Sequence, residues 1–255
     1  MPKKPRLRPA DVMGVSLAKP GDARLGEVWA RLAMVSDPEL DESVAEMNFV
    51  DSVELGDGGE VRISFRLPTF WCAPNFAFLM ANDMREAVES LDWVRCAEIT
   101  LQDHCHAEDI NRGVGGGLSF TETFPGQAAA ELDELRATFR RKAFQGRQEA
   151  LLRRLVEDKL APAQICAMRM SDLKGLALAE ADAVRLRERY VEIRGEFGGP
   201  AKNGDAAFTT PEGEALSGAT FIEYLQDLRR VRMNAAFNAN MCRSLLQTRY
   251  GEGGE

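Results

Sequence analysis

The four-residue run Gly56-Asp57-Gly58-Gly59, set between residues 48–55 and 60–67, most constrains how this 255-residue chain can fold. Two short runs of strand-forming residues on either side of such a turn read as a β-hairpin. Upstream, Leu25, Val28, Trp29, Leu32 and Val35 fall at helical spacing, and Ser36-Asp37-Pro38 stops that helix. Downstream, Phe76, Met80, Met84, Ala87, Val88 and Leu91 define a second helix that starts just after Pro74-Asn75. Residues 93–101 then alternate, with Ala97, Ile99 and Leu101 on one side, as a third strand does. The order α-β-β-α-β predicts an α+β fold with a small mixed sheet.

Beyond this segment the pattern changes. Gly113-Val114-Gly115-Gly116-Gly117 and the stretch to residue 126 read as a glycine-rich linker. Residues 132–142, 147–160, 180–194 and 219–249 are helical in pattern, and the loop at 198–218 holds a short hairpin at Pro211-Glu212-Gly213. The organisation expected is an arm at 1–22, disordered and basic, an α+β domain at 23–112, a linker at 113–126 and a helical domain at 127–255. The arm has no apolar core behind it and is not a secretory signal. No apolar run approaches the roughly 18 residues that a membrane helix needs.

Charge and cysteine usage narrow the function. Residues 1–125 carry 12 Lys and Arg against 21 Asp and Glu, while residues 126–255 carry 20 against 19. Residues 37–60 hold nine acids and no Lys or Arg. Phosphate neutralisation needs the opposite balance, so nucleic acid is not the expected partner. The five cysteines, at 72, 96, 105, 166 and 242, are odd in number and form no C-x-x-C pair. That argues against a disulfide framework and for reduced thiols in the cytoplasm.

Topology gathers the chemistry. A right-handed crossover makes the second and third strands parallel, and their carboxyl ends meet at one sheet edge, where open sheets bind ligands. The second strand runs into Thr69-Phe70-Trp71-Cys72-Ala73-Pro74, and the third into Asp103-His104-Cys105-His106. The turn at Asp37-Pro38-Glu39 lies near the same edge. Cys72, just ahead of a helix, sits where the positive helix end favours a thiolate. The alternative is a cysteine buried beside Trp71 and Phe76. His104 and His106, the only histidines, would chelate a metal from one strand face if the strand continued through them. Otherwise they decorate a strand end. Cys96, Cys166 and Cys242 read as core packing. The run Gly115-Gly116-Gly117 lacks nucleotide-loop spacing, so no nucleotide is expected.

The α-β-β-α-β order, the Asp37-Pro38-Glu39 turn, the lead-in Glu46-Met47-Asn48-Phe49-Val50, the glycine hairpin and Cys72 together resemble the SufT/PaaD-type iron–sulfur cluster assembly family, of MIP18-like fold. The likeness covers about residues 24–112. It departs from the family's Thr-x-x-x-Cys-Pro loop, since Thr69 is one residue too close and Ala73 separates Cys72 from Pro74. The longer chain looks like assembly factors that accompany soluble di-iron, propane-type monooxygenases in bacteria. The resemblance implies an accessory protein and not an enzyme, in which Cys72 transiently binds iron or an iron–sulfur cluster. His104, Cys105 and His106 would complete the ligand set, supported by Asp37, Glu39, Thr69 and Asp103. Partners would be a client metalloenzyme or other assembly proteins, and a homodimer is one open oligomeric state. Two rivals remain: a thiol hydrolase or transferase with a Cys72 nucleophile and a histidine base, and a non-catalytic adaptor.

Overall fold

A computed structural model describes residues 22–126, 129–199 and 201–251; the arm expected at 1–22 lies outside them but for Asp22. The described residues form two compact units that divide between 135 and 136 and between 237 and 238, the middle stretch making the second unit. The fold is α+β, with helices over a three-stranded mixed sheet in the first unit and helices dominating the remainder.

In the first unit, helix α1 (Ala23–Leu32) opens where the Asp22 carboxylate caps the Arg24 N–H. It buries Val28 and Leu32. The hairpin follows as β1 (Val50–Leu55) and β2 (Glu60–Arg66), paired antiparallel across the Gly56–Gly59 turn. Gly59 is required there: its φ is +87°, and a Cβ would lie 2.5 Å from the Trp93 carbonyl oxygen. Helix α2 (Pro74–Glu89) starts on a proline, whose missing N–H costs nothing at that position. It crosses to β3 (Cys96–Gln102), which pairs parallel with β2, so the strand order is β1-β2-β3. Alternation along β2 buries Val61, Ile63 and Phe65, and along β3 it buries Ala97, Ile99 and Leu101.

The stretch read as a linker is folded. Helix α3 (Ala107–Gly116) carries Glu108 and Asp109 in its first turn, where acids suit the helix dipole. Gly115 and Gly116 form its last turn, and Gly117, at φ +67°, is the left-handed residue that ends it. Helix α4 (Phe120–Thr123) is capped reciprocally by Ser119 and Glu122. Ile110, Val114, Phe120 and Phe124 all belong to the core, and Phe78 of α2 meets the Phe120 ring edge-on at 5.5 Å. Helix α2 is therefore covered from more than one side, and its consecutive residues Ala77, Phe78, Leu79, Met80 and Ala81 are all buried.

Helix α5 (Ala129–Glu157) runs unbroken where two helices are expected, since Gly146 interrupts nothing. Helices α6 (Pro162–Ala167), α7 (Met170–Gly175) and α8 (Ala181–Arg194) follow, and α9 (Phe221–Tyr250) closes the chain. The second unit has its own core, with Phe144, Leu151, Met170, Tyr190 and Phe208 within it. Buried Arg194 ties the loop beyond α8 by donating to the carbonyls of Phe197, Ala206 and Ala207. The turn at Pro211-Glu212-Gly213 closes through Thr210 N–H to the Glu214 carbonyl at 2.8 Å. The last residues of α9, from Asn238, belong to the first unit, and Ala239 and Leu246 lie in its core. Of the helical domain expected over 127–255, residues 136–237 form the second unit.

Candidate metal and cluster site

The carboxyl edge of β2 and β3 brings two loops together. The Cys105 N–H donates to the Phe70 carbonyl at 2.9 Å, and His104 Nε2 lies 2.7 Å from the Cys72 carbonyl oxygen. The strand does not continue through the histidines. It ends at Gln102 because Asp103 turns left-handed, with φ 52°, a conformation Asp tolerates better than most residues. His104 is then buried, Cys105 is exposed, and His106 becomes the residue that precedes α3.

His104 is fully engaged. The His106 N–H donates to His104 Nδ1 at 3.1 Å, so that nitrogen carries no proton and Nε2–H donates to the Cys72 carbonyl. Burial lowers its pKa below the ordinary value; the bond to Cys72 opposes this, and the charges of His106 and Arg249 add to it. His104 is therefore a neutral clamp on the cysteine loop. The two rings lie 6.2 Å apart and tilted, with His106 packed on Phe124 and 3.9 Å from the Asp109 carboxylate. The unbroken strand that a one-face chelate needs ends at Gln102, before either histidine.

Cys72 is half-buried, its sulfur 3.1 Å from the Thr69 hydroxyl. Thr69 thus contacts the thiol despite its altered spacing. Immediately before the cysteine, Phe70 and Trp71 are exposed, Trp71 at 75%. Asp37 is 7% exposed, and its carboxylate accepts the N–H groups of Glu39 and Leu40 at 2.8 and 2.9 Å. Burial raises its pKa to about 6 against those hydrogen bonds, and Glu39 adds to the rise. Asp103 faces the chain's last helix: Tyr250 donates to its carboxylate at 2.7 Å, and Arg249 pairs with it at 2.6 Å.

The sequence pattern around Cys242 points to core packing alone. It is half-buried on α9 and packs on the same core as Cys72. Burial pushes its thiol up to about 11, and the negative charges of Asp37, Cys72 and Glu39 push in the same direction. One turn earlier, Asn238 donates to the Glu39 carboxylate at 3.4 Å. Nothing local in the sequence signals this, because the partners lie some two hundred residues apart. Among the described residues, no group of three or more His, Cys, Asp and Glu side chains is placed to hold a metal ion.

Residues 26–101 match the model of a family described as iron–sulfur cluster assembly protein. An uncharacterized protein of Methanocaldococcus jannaschii is 33% identical over 85 residues, which span 33% of this chain and 87% of that relative. The chain belongs to the iron–sulfur cluster assembly protein family. A general role in iron–sulfur cluster assembly goes with that membership. No solved structure matches the chain. The family segment contains Asp37, Glu39, Thr69 and Cys72; Asp103, His104, Cys105, His106 and Cys242 lie beyond it. No helix among the described residues is long and apolar enough to cross a membrane.

Proposed function

We propose that this chain is a cytoplasmic accessory factor of the SufT/PaaD type that carries iron or an iron–sulfur cluster on Cys72 for a client metalloenzyme, a bacterial multicomponent monooxygenase being the favoured client. One observation carries the reading: a cysteine within the family segment stands half-exposed at a sheet edge, ahead of a helix, on a loop pinned by His104 and Cys105. Thiolates are the usual ligands of iron–sulfur clusters, and the positive end of α2 suits an anionic sulfur. Few ligands from one chain suit cargo that must leave again, as the remaining positions can be filled by the acceptor. Exposed Phe70 and Trp71 give an acceptor apolar surface beside the sulfur.

The thiol-enzyme reading is weaker on chemical grounds. With Nδ1 accepting and Nε2 donating, His104 has no lone pair left for a thiol proton. Cys105 and His106 are proposed as accessory ligands only when cargo is bound.

Anaerobic reconstitution with ferrous iron and sulfide tests the proposal. Wild type is expected to take up iron and acid-labile sulfide and to absorb in the visible, and Cys72→Ala to lose both. A wild-type protein that takes up neither overturns the proposal, as does full uptake by Cys72→Ala.

A further inference from the structure

The face of α9 turned toward the site can be followed residue by residue. Asn238 bonds to Glu39, and Arg249 donates to the carbonyls of Leu67 and Asp103 at 3.4 and 3.2 Å. Leu246, between them, is in the core. Positions 238, 242, 246 and 249 share one helical face, so Cys242 is aimed at the space bounded by the Asp37–Glu39 turn and the Cys72 loop. Both sulfurs are half-buried against one core. Arg243, one residue on, is held by the Glu42 carboxylate, so neither guanidinium of this segment is free to neutralise the thiols.

We infer that Cys242 is the second thiol ligand of the cargo site, so that Cys72 and Cys242 together grip one iron, as the free ion or at the corner of a cluster. This deepens the function proposed above and rests on it. The chemistry balances without a further reactant: two S–H bonds break, two Fe–S bonds form, and two protons leave to solvent for each ferrous ion. With only two ligands from this chain, the other positions fall to small thiols, sulfide or the acceptor. The sulfur pair selects soft or borderline metals over magnesium or calcium.

Cobalt(II), a spectroscopic stand-in for ferrous iron, is titrated anaerobically into the full-length protein and into Cys72→Ser, Cys242→Ser and Cys166→Ser. Cys72→Ser and Cys242→Ser are each expected to weaken binding by at least about ten-fold. Each should also reduce the sulfur-to-cobalt charge-transfer band to about half, one thiolate remaining of two. Cys166→Ser, on a helix of the other unit, should match wild type. Unchanged cobalt binding by Cys242→Ser, with loss in Cys72→Ser, overturns the pairing and leaves the proposed function standing. A wild-type protein with no sulfur-to-metal band overturns both. A second measurement needs no variant. Phenylarsine oxide condenses with two adjacent thiols and releases one water. It should bridge Cys72 and Cys242 in the native protein, as mapped by mass spectrometry of its peptides. An arsenical on any other pair, or on none, overturns the inference.

Discussion

His104 and Asp37 are buried titratable groups whose pKa values move in opposite senses relative to stability. The His104 pKa is lowered on folding, so its contribution is whole above the unfolded value near 6.5 and is lost as pH falls through the lowered folded value. Asp37 rises from 3.8 to about 6, so its contribution is whole below pH 3.8 and is lost as pH rises through about 6. At neutral pH the protein therefore carries an ionised Asp37 at a cost. Asp37→Asn keeps an acceptor for the Glu39 and Leu40 N–H groups without the charge. It should raise stability at pH 7.5 by on the order of 1–3 kcal/mol, with the gain vanishing below about pH 4. Urea denaturation across that range measures it, and a gain independent of pH would rule out the desolvation argument. His104→Ala leaves the Cys72 carbonyl and the His106 N–H without partners and should cost about 1–3 kcal/mol at pH 7.5. That penalty should shrink below pH 6.5, where wild type itself weakens. The two histidines could be read as a metal pair only because spacing says nothing about where a strand ends. The left-handed Asp103 decides that, and Asp is common enough in ordinary strand ends to give no warning.

Helices α3 and α4 are the element that glycine composition concealed. Five residues containing four glycines read as a loop, yet Ile110 and Val114 stand at helical spacing and Phe120 and Phe124 repeat it. The apolar spacing was legible; the glycines outweighed it. They serve different ends. A Cβ at Gly113 would lie 2.1 Å from the Thr123 hydroxyl oxygen, whereas a Cβ at Gly115 would meet nothing within 4 Å. Gly113→Ala should therefore force α3 off α4 and cost about 1–3 kcal/mol. Gly115→Ala, exposed in the last turn of α3, should stabilise by up to about 1 kcal/mol. A linker would respond to neither. Thermal melts of the two variants distinguish the cases, since opposite shifts in Tm are expected only if this stretch is helical and packed. By contrast, the hairpin and the β2-α2-β3 crossover were legible because their turn residues and alternation agree with their burial.

Among the described residues there are two apolar cores with no residue in common, and the boundaries of the units fall within α5 and α9. Periodicity could not reveal this, because a continuous helix has the same pattern whichever core each turn joins. For the same reason Cys242 looked like any buried helical cysteine, although its neighbours Asp37 and Cys72 come from the other end of the sequence. Separate cores argue against a single all-or-none transition. Calorimetry of the full chain should give a calorimetric enthalpy larger than the van't Hoff value and two resolvable steps. Phe144→Ala, in the second core, should cost about 3–5 kcal/mol and lower one step. Gly113→Ala should lower the other. A bound metal stabilises only the state that holds it, so cobalt should raise the step sensitive to Gly113→Ala and leave the step sensitive to Phe144→Ala in place. If both variants instead move one common transition, the helices shared between the units bind the cores into a single cooperative block. Cargo at the Cys72 loop would then be felt throughout the chain.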